Sequence, residues 1–449
     1  MNFDMELSRK PTLKTEPGFL PAAVKKILFW TIMLAVIAGL FFYIKKAASF
    51  YSATIPQDLN KKTYLDTSVF PVRGIHVTYN VAGSPLLLKN VIELVNKTEL
   101  NALVIDLKEA DGRVGYDSKL KIVGDIGAKR AEIKNLDKLL STLKENNIFP
   151  IARICVFKDP LLAQKLPRLA VKDKNGSTWR DKKGLSWVDP YCKQVWEYNT
   201  QIAVEAAERG FREIQFDYVR FPSDGIVSNC VYTYKDSQGE SAPIIAIRNF
   251  LKYAAARLRP YGVAVSVDVF GLTCSMGKEL NIGQVIEEIS PEVDYICPMV
   301  YPSHYYRGQY NLPDPEAAPY KTVHTSLSDA QRRIGNICRI RPWLQDFSLR
   351  IKYSANDVQE QIRAAYDNGI QEWLLWNPAC RYTVSALKSK AERGVALTKM
   401  TMPEANTKTE IGSALKSKEA RVGTKETTAE INVQIETSSH KIELPEERF

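Results

Sequence analysis

The feature that most constrains this chain is an eightfold alternation between Arg73 and Glu392, in which short runs rich in Val, Ile, Phe and Tyr are each followed by an amphipathic stretch. Apolar runs of that length bounded by turn residues read as strands buried on both faces, and the 3.6-residue periodicity between them reads as helices. Strands are expected at Arg73 to Thr78, Ala102 to Lys108, Phe149 to Phe157, Glu213 to Phe221, Ala264 to Gly271, Tyr295 to Pro302, Ile340 to Phe347 and Glu372 to Ala379. Helices are expected at Leu86 to Asn96, Leu136 to Glu145, Val195 to Arg209, Ile244 to Leu258, Ile282 to Ile289, Ser326 to Ile334 and Ala355 to Tyr366, with Thr383 to Glu392 closing the set. Parallel strands need crossover connections, and eight such units close into an α/β fold of the (β/α)8 TIM-barrel type over residues 73–393. A doubly wound sheet would usually use fewer strands and a glycine-rich first turn, and no Gly-x-Gly-x-x-Gly follows the first strand.

Two flanking segments read differently. From Ile27 to Ile44 the chain carries no charge, and as a helix this stretch would span about 27 Å, close to the thickness of a bilayer core. Lys25 and Lys26 precede it, Lys45 and Lys46 follow it, and Trp30 and Tyr43 lie near its ends. The pattern predicts a single transmembrane helix over 27–44, a cytoplasmic tail over 1–26 and a stalk over 45–72. It makes the membrane a partner and places the barrel outside the cytoplasm, at the cell envelope. Residues 394–449 are rich in Lys, Glu, Thr and Ser, and from 401 onward Phe449 is the one aromatic residue, which predicts a disordered polar tail.

Composition narrows the function classes. At 45% hydrophobic and 25% charged the chain is that of a globular protein, so wholesale disorder is excluded. Lys and Arg exceed Asp and Glu by 61 to 51, but the excess is spread along the chain without a recognition-module pattern, so nucleic acid is not an expected partner. The seven cysteines include no Cys-x-x-Cys. Cys155, Cys297 and Cys338 read as small buried hydrophobes, while Cys230, Cys274 and Cys380 fall in expected loops. No metal and no cofactor is implied.

In barrels of this kind, active sites are built at the C-terminal ends of the strands. Those ends supply His76, Asp106 with Glu109, Asp217 with Arg220, Asp268, Tyr301 with His304, Asp346, and Trp376. Carboxylates beside aromatic rings suit glycoside cleavage, in which one carboxylate meets the anomeric carbon, a protonated carboxyl assists the leaving oxygen, and ring faces hold the sugar. Strand alternation places Asp217 and Asp268 on inner faces of adjacent strands, which makes them the expected catalytic pair. Arg220 favours Asp217 as nucleophile or base and Asp268 as acid; the alternative gives one role to Asp106 or Glu109. Expected substrate-binding residues are Asp106, Glu109, Arg220, Tyr301, His304, Asp346, Trp376, Trp187 and His76. Each has a structural reading too: Asp217 with Arg220 as a simple ion pair, the histidines as satisfied polar groups, Trp376 as core.

The third connection is long, and Asn175-Gly176 and Lys183-Gly184 bracket Trp179 and Trp187 within it. It predicts a hairpin flap, its tryptophans either forming a rim for a polymer chain or pinning the hairpin to the barrel. The fourth connection, Ser223 to Ser241, is also long and polar.

RGIHVT from Arg73, WVDP from Trp187, QFDYVRFP from Gln215 and ICPMVYPSHY from Ile296 together resemble a bacterial family of glycoside hydrolase barrels, itself similar to amylase-like glycosidases. The resemblance covers about 320 residues and implies a TIM-barrel hydrolase acting on polysaccharide, with Asp217 matching the fourth-strand carboxylate of many glycosidases. The sequence departs from the amylase-like pattern in having Asp268 where a fifth-strand Glu is usual, and Gln215 where an Arg precedes the fourth-strand Asp. The expectation is a membrane-anchored glycoside hydrolase that cleaves an extracytoplasmic polysaccharide by a two-carboxylate mechanism; the alternative is a non-catalytic glycan-binding or structural barrel.

Overall fold

Buried on both faces, a strand here is a nearly continuous run of branched and aromatic side chains. In β2 (Ala102–Lys108) all seven positions are buried. The structure, a computed structural model, describes residues 71–235, 242–277 and 279–391, together with Met33. The other barrel strands are β1 (Arg73–Val77), β3 (Phe149–Cys155), β4 (Glu213–Asp217), β5 (Ala264–Phe270), β6 (Tyr295–Met299), β7 (Trp343–Gln345) and β8 (Trp373–Trp376). Each pairs in parallel with the next, and β1 pairs with both β2, through Gly74 and Ala102, and β8, through Arg73 and Trp373, which closes the barrel. A short strand, Arg339–Ile340, pairs in parallel with β6 just before β7; Pro342, which has no N–H, stands between it and β7.

Two apolar layers follow from strand alternation. Val104, Ile151, Ala264, Tyr295, Trp343 and Leu374 fill the barrel interior, while the larger layer lies between the strands and the helices around them. Helix ends are set locally. Asn135 accepts from Lys138 N at the start of Leu136–Glu145, and Gly210, at φ 112°, ends Lys193–Arg209. At the N-terminal end of the barrel Arg341, fully buried, donates to both carboxylate oxygens of Glu213 at 2.8 Å and lies 3.8 Å from the Tyr295 ring.

The third connection forms the expected double turn. Ala170 bridges Val188, Lys172 bridges Thr178 and Arg180 bridges Ser186, with Gly176 and Gly184 both at positive φ. Trp179 and Trp187 are buried, and Trp179 donates to the Ile226 carbonyl of the fourth connection at 3.1 Å. The tryptophans therefore pin the hairpin.

Several expectations are corrected. Among the described residues no helix is long and apolar enough to cross a membrane. The transmembrane anchor, the membrane as a partner and the single-pass localisation with the barrel outside the cytoplasm are therefore withdrawn; residues 27–44 themselves, Met33 apart, lie outside the described residues. So do the 1–26 tail, nearly all of the 45–72 stalk and the 394–449 tail. In place of a closing helix from Thr383, there is a single 3-10 turn at Val384–Ala386.

Candidate active site

Alternation along the strands brings one inward layer to the C-terminal mouth: His76, Asp106, Arg153, Asp217, Asp268, Trp343 and Trp376. Register sets their neighbours, since Asp106 lies beside Arg153, Cys155 beside Asp217 and Asp268 beside Cys297. Arg153, 5% exposed, is the hub. Its Nη1 donates to Asp106 Oδ1 at 2.6 Å, and its Nε donates at 3.1 Å to Asp217 Oδ2, which Nη2 also reaches. Asp268 Oδ2 lies 3.8 Å from Nε. Three acids from three strands thus surround one guanidinium.

The expected two-carboxylate pair is corrected on this point. Asp217 and Asp268 are brought together as expected, but with Asp106 they converge on a shared cation, so no isolated acid–base pair is defined. The guanidinium partner of Asp217 is Arg153, whereas Arg220 lies among aromatic rings, 4.8 Å from Trp187 and 4.6 Å from Phe270.

Burial and neighbours then separate the charges. Burial disfavours the His76 imidazolium, but Asp106, 2.7 Å away, outweighs it and pushes the imidazole up to about 9. Burial works against the Asp106 carboxylate as well, and His76 and Arg153 overcome it to hold the carboxyl below its usual range. Asp268, 1% exposed, goes the other way: burial, reinforced by Asp217, raises it well above the usual carboxylate range. Trp343 Nε1 donates to Asp268 Oδ1 at 2.7 Å, while Oδ2 is the oxygen turned toward the Arg153 guanidinium.

Aromatic rings complete the pocket. Trp376 stacks on His76 at 3.9 Å, lies 4.9 Å from the Arg153 guanidinium and meets Trp343 edge-on at 5.4 Å. Tyr301, His304, Phe270 and Tyr218 also line the pocket. Tyr218 sits at φ 51°, a strained conformation for a bulky residue, and its N–H donates to Asp217 Oδ1 at 2.5 Å.

Of the residues singled out from sequence, Asp217, Asp268, Arg220, Tyr301, His304 and Trp376 line this pocket. Asp106 and His76 stand directly behind Arg153 and Trp376. Glu109, Asp346 and Trp187 are outside the lining. Glu109 is raised to about 7 by burial and by Asp106; Asp346 accepts from Thr383 N and Oγ1 at 2.8 and 2.7 Å; Trp187 packs on Arg220. Sequence reasoning missed Arg153 and Trp343. The available signal for Arg153 was a lone charge in the apolar run FPIARICVF, at an inward position. Among the described residues, no group of three or more His, Cys, Asp or Glu is placed to hold a metal ion.

A closed parallel barrel whose mouth gathers buried acids beneath aromatic rings is of the glycoside-hydrolase-like class. Residues 74–382 match the family described as "Putative glycosyl hydrolase domain", and the chain belongs to that family. Among solved structures, it is 44% identical to a hypothetical protein from Ruminiclostridium thermocellum, over 43% of this chain and 97% of that one, with a TM-score of 0.40. The PgaB glycoside hydrolase domain from Bordetella bronchiseptica is similar over 71% of this chain and 99% of its own, at 13% identity and a TM-score of 0.53, a likeness of fold. An exo-β-N-acetylglucosaminidase from Vibrio harveyi is 12% identical over 74% of this chain and 57% of that one, with a TM-score of 0.48. No curated protein matches the chain.

Proposed function

We propose that the barrel mouth binds a saccharide and cleaves its glycosidic bond. The observation that carries this reading is the meeting of Trp343, Trp376 and Tyr301 with Asp217 and Asp268 in one pocket at the C-terminal ends of the strands. Flat apolar faces suit the C–H faces of a sugar ring. Asp268 is the group placed to give a proton to a departing oxygen, because burial keeps it neutral when other carboxyls have ionised.

A second reading, saccharide binding without cleavage, is favoured by one observation. Asp217 already accepts from Arg153 and from Tyr218 N, which leaves its carboxylate well occupied. Incubating the full chain with a panel of polysaccharides, beside Asp217→Asn, Asp268→Asn and Trp376→Ala, separates the readings. Product formation abolished by Asp268→Asn supports cleavage. Binding by the wild type and by both Asn variants, with no product from any, supports the second reading, and no binding by any of the proteins overturns both.

A further inference from the structure

We propose that Arg153 is a positioning residue that divides charge among the three acids of the barrel mouth: with its donors engaged by Asp106 and Asp217, it fixes those two as anions and leaves Asp268 to carry the proton. The proposal deepens the saccharide reading and rests on it for its importance, although the division of charge is a property of the unliganded protein.

The argument is a count of charges in a dry space. Asp106 comes from β2, Asp217 from β4 and Asp268 from β5, and Arg153 on β3 lies between the first two. Its fork reaches both of them within hydrogen-bond distance, whereas Asp268 is 3.8 Å from Nε. His76, 2.7 Å from Asp106 and, against burial, pushed up to about 9 by it, adds the second positive charge below that pH. Two cations facing two anions is balanced; a third anion would be uncompensated at 1% exposure, which a buried site does not tolerate.

No other neighbour restores the balance. The Cys155 and Cys297 thiols and the Tyr301 phenol are pushed up by burial and stay neutral. Glu213, whose charge also acts on Asp268 from the N-terminal end of β4, meets the Arg341 guanidinium at 2.8 Å, which Glu372 shares at 3.5 Å, so no cation is left over there for Asp268. Glu109 is raised only to about 7, and its ionisation would add negative charge and strengthen the proton on Asp268. Trp343 holds Asp268 Oδ1 in place without contributing charge.

If Arg153 apportions the charge, removing one of its two anionic partners frees it for Asp268. Infrared difference spectroscopy of the full chain in heavy water, at about pH 6 so that Glu109, raised to about 7, keeps its proton, reads the carbonyl stretch of protonated carboxyls directly. Asp268→Asn should abolish one such band. Asp217→Asn should abolish the same band, because the released guanidinium lets Asp268 ionise. The double variant Asp217→Asn with Arg153→Gln, which removes one charge of each sign, should restore it.

A band untouched by Asp268→Asn, or still absent from the double variant, overturns the proposal. A purely structural Arg153 would change stability without returning the band. Because the readout needs no saccharide, a polysaccharide panel without binding would leave the charge division intact, and a failed charge division would leave cleavage open to its own test.

Discussion

His76 and Asp106 show how a single pair shapes stability. Raising His76 from 6.5 to about 9 corresponds to about 3 kcal/mol of folding free energy. A raised folded value gives stability that is complete below 6.5 and is lost as pH climbs through 9. His76→Gln is therefore expected to lower the urea midpoint most below pH 6.5, and to converge toward wild type as the pH approaches 9; equilibrium unfolding at a series of pH values measures this. Asp106, held low, contributes in the opposite window, its stabilisation disappearing as acid protonates it. At this scale the sequence was partly legible. Asp217 and Asp268 stood out as inward acids near strand ends, but Arg153 reaches its acids only through the pairing of β3 with its neighbours β2 and β4, across 47 residues to Asp106 and 64 to Asp217. No local pattern carries a pairing of that range, so the nearby Arg220 took its place in the sequence reading.

At the scale of elements, the βα alternation located all eight strands, and the ends were overrun for a physical reason. Residues after Cys155 and Asp217 stay apolar or aromatic, yet they leave the ladder to build the mouth, and Tyr218 turns out through a left-handed conformation. Period-two patterning cannot see such an exit. Gly271, which follows β5, is in contact distance of the Met299 carbonyl and the Tyr305 hydroxyl, so an added methyl has no room. Gly271→Ala should cost about 1–3 kcal/mol and weaken saccharide binding, measured by thermal unfolding and by titration with a bound oligosaccharide. In the flap, Asp181 accepts from Lys183 N, Leu185 N and Trp187 Nε1. Asp181→Ala is expected to speed amide exchange across 171–188 while the barrel strands keep their protection, as hydrogen exchange with mass spectrometry would record.

Across the whole molecule, the two ends of the barrel carry different work. The buried Arg341 and Glu213 hold the N-terminal end, far from the aromatic mouth along the same strands. Glu213→Gln leaves the buried Arg341 guanidinium with Glu372 alone, at 3.5 Å, so a loss of about 3–5 kcal/mol is expected, which calorimetric unfolding measures. The barrel itself was legible because eight apolar runs with intervening amphipathic helices have few closed solutions. The uncharged stretch at 27–44 lies, Met33 apart, outside the described residues, and no spanning helix occurs among those described.

One consequence follows from the bond between Trp179 and the Ile226 carbonyl and from the bridge between Lys172 and Val231. These join the hairpin of the third connection to the fourth, so neither can swing aside without the other. Displacing either segment alone would break these bonds, so the cost of moving one is shared by the other.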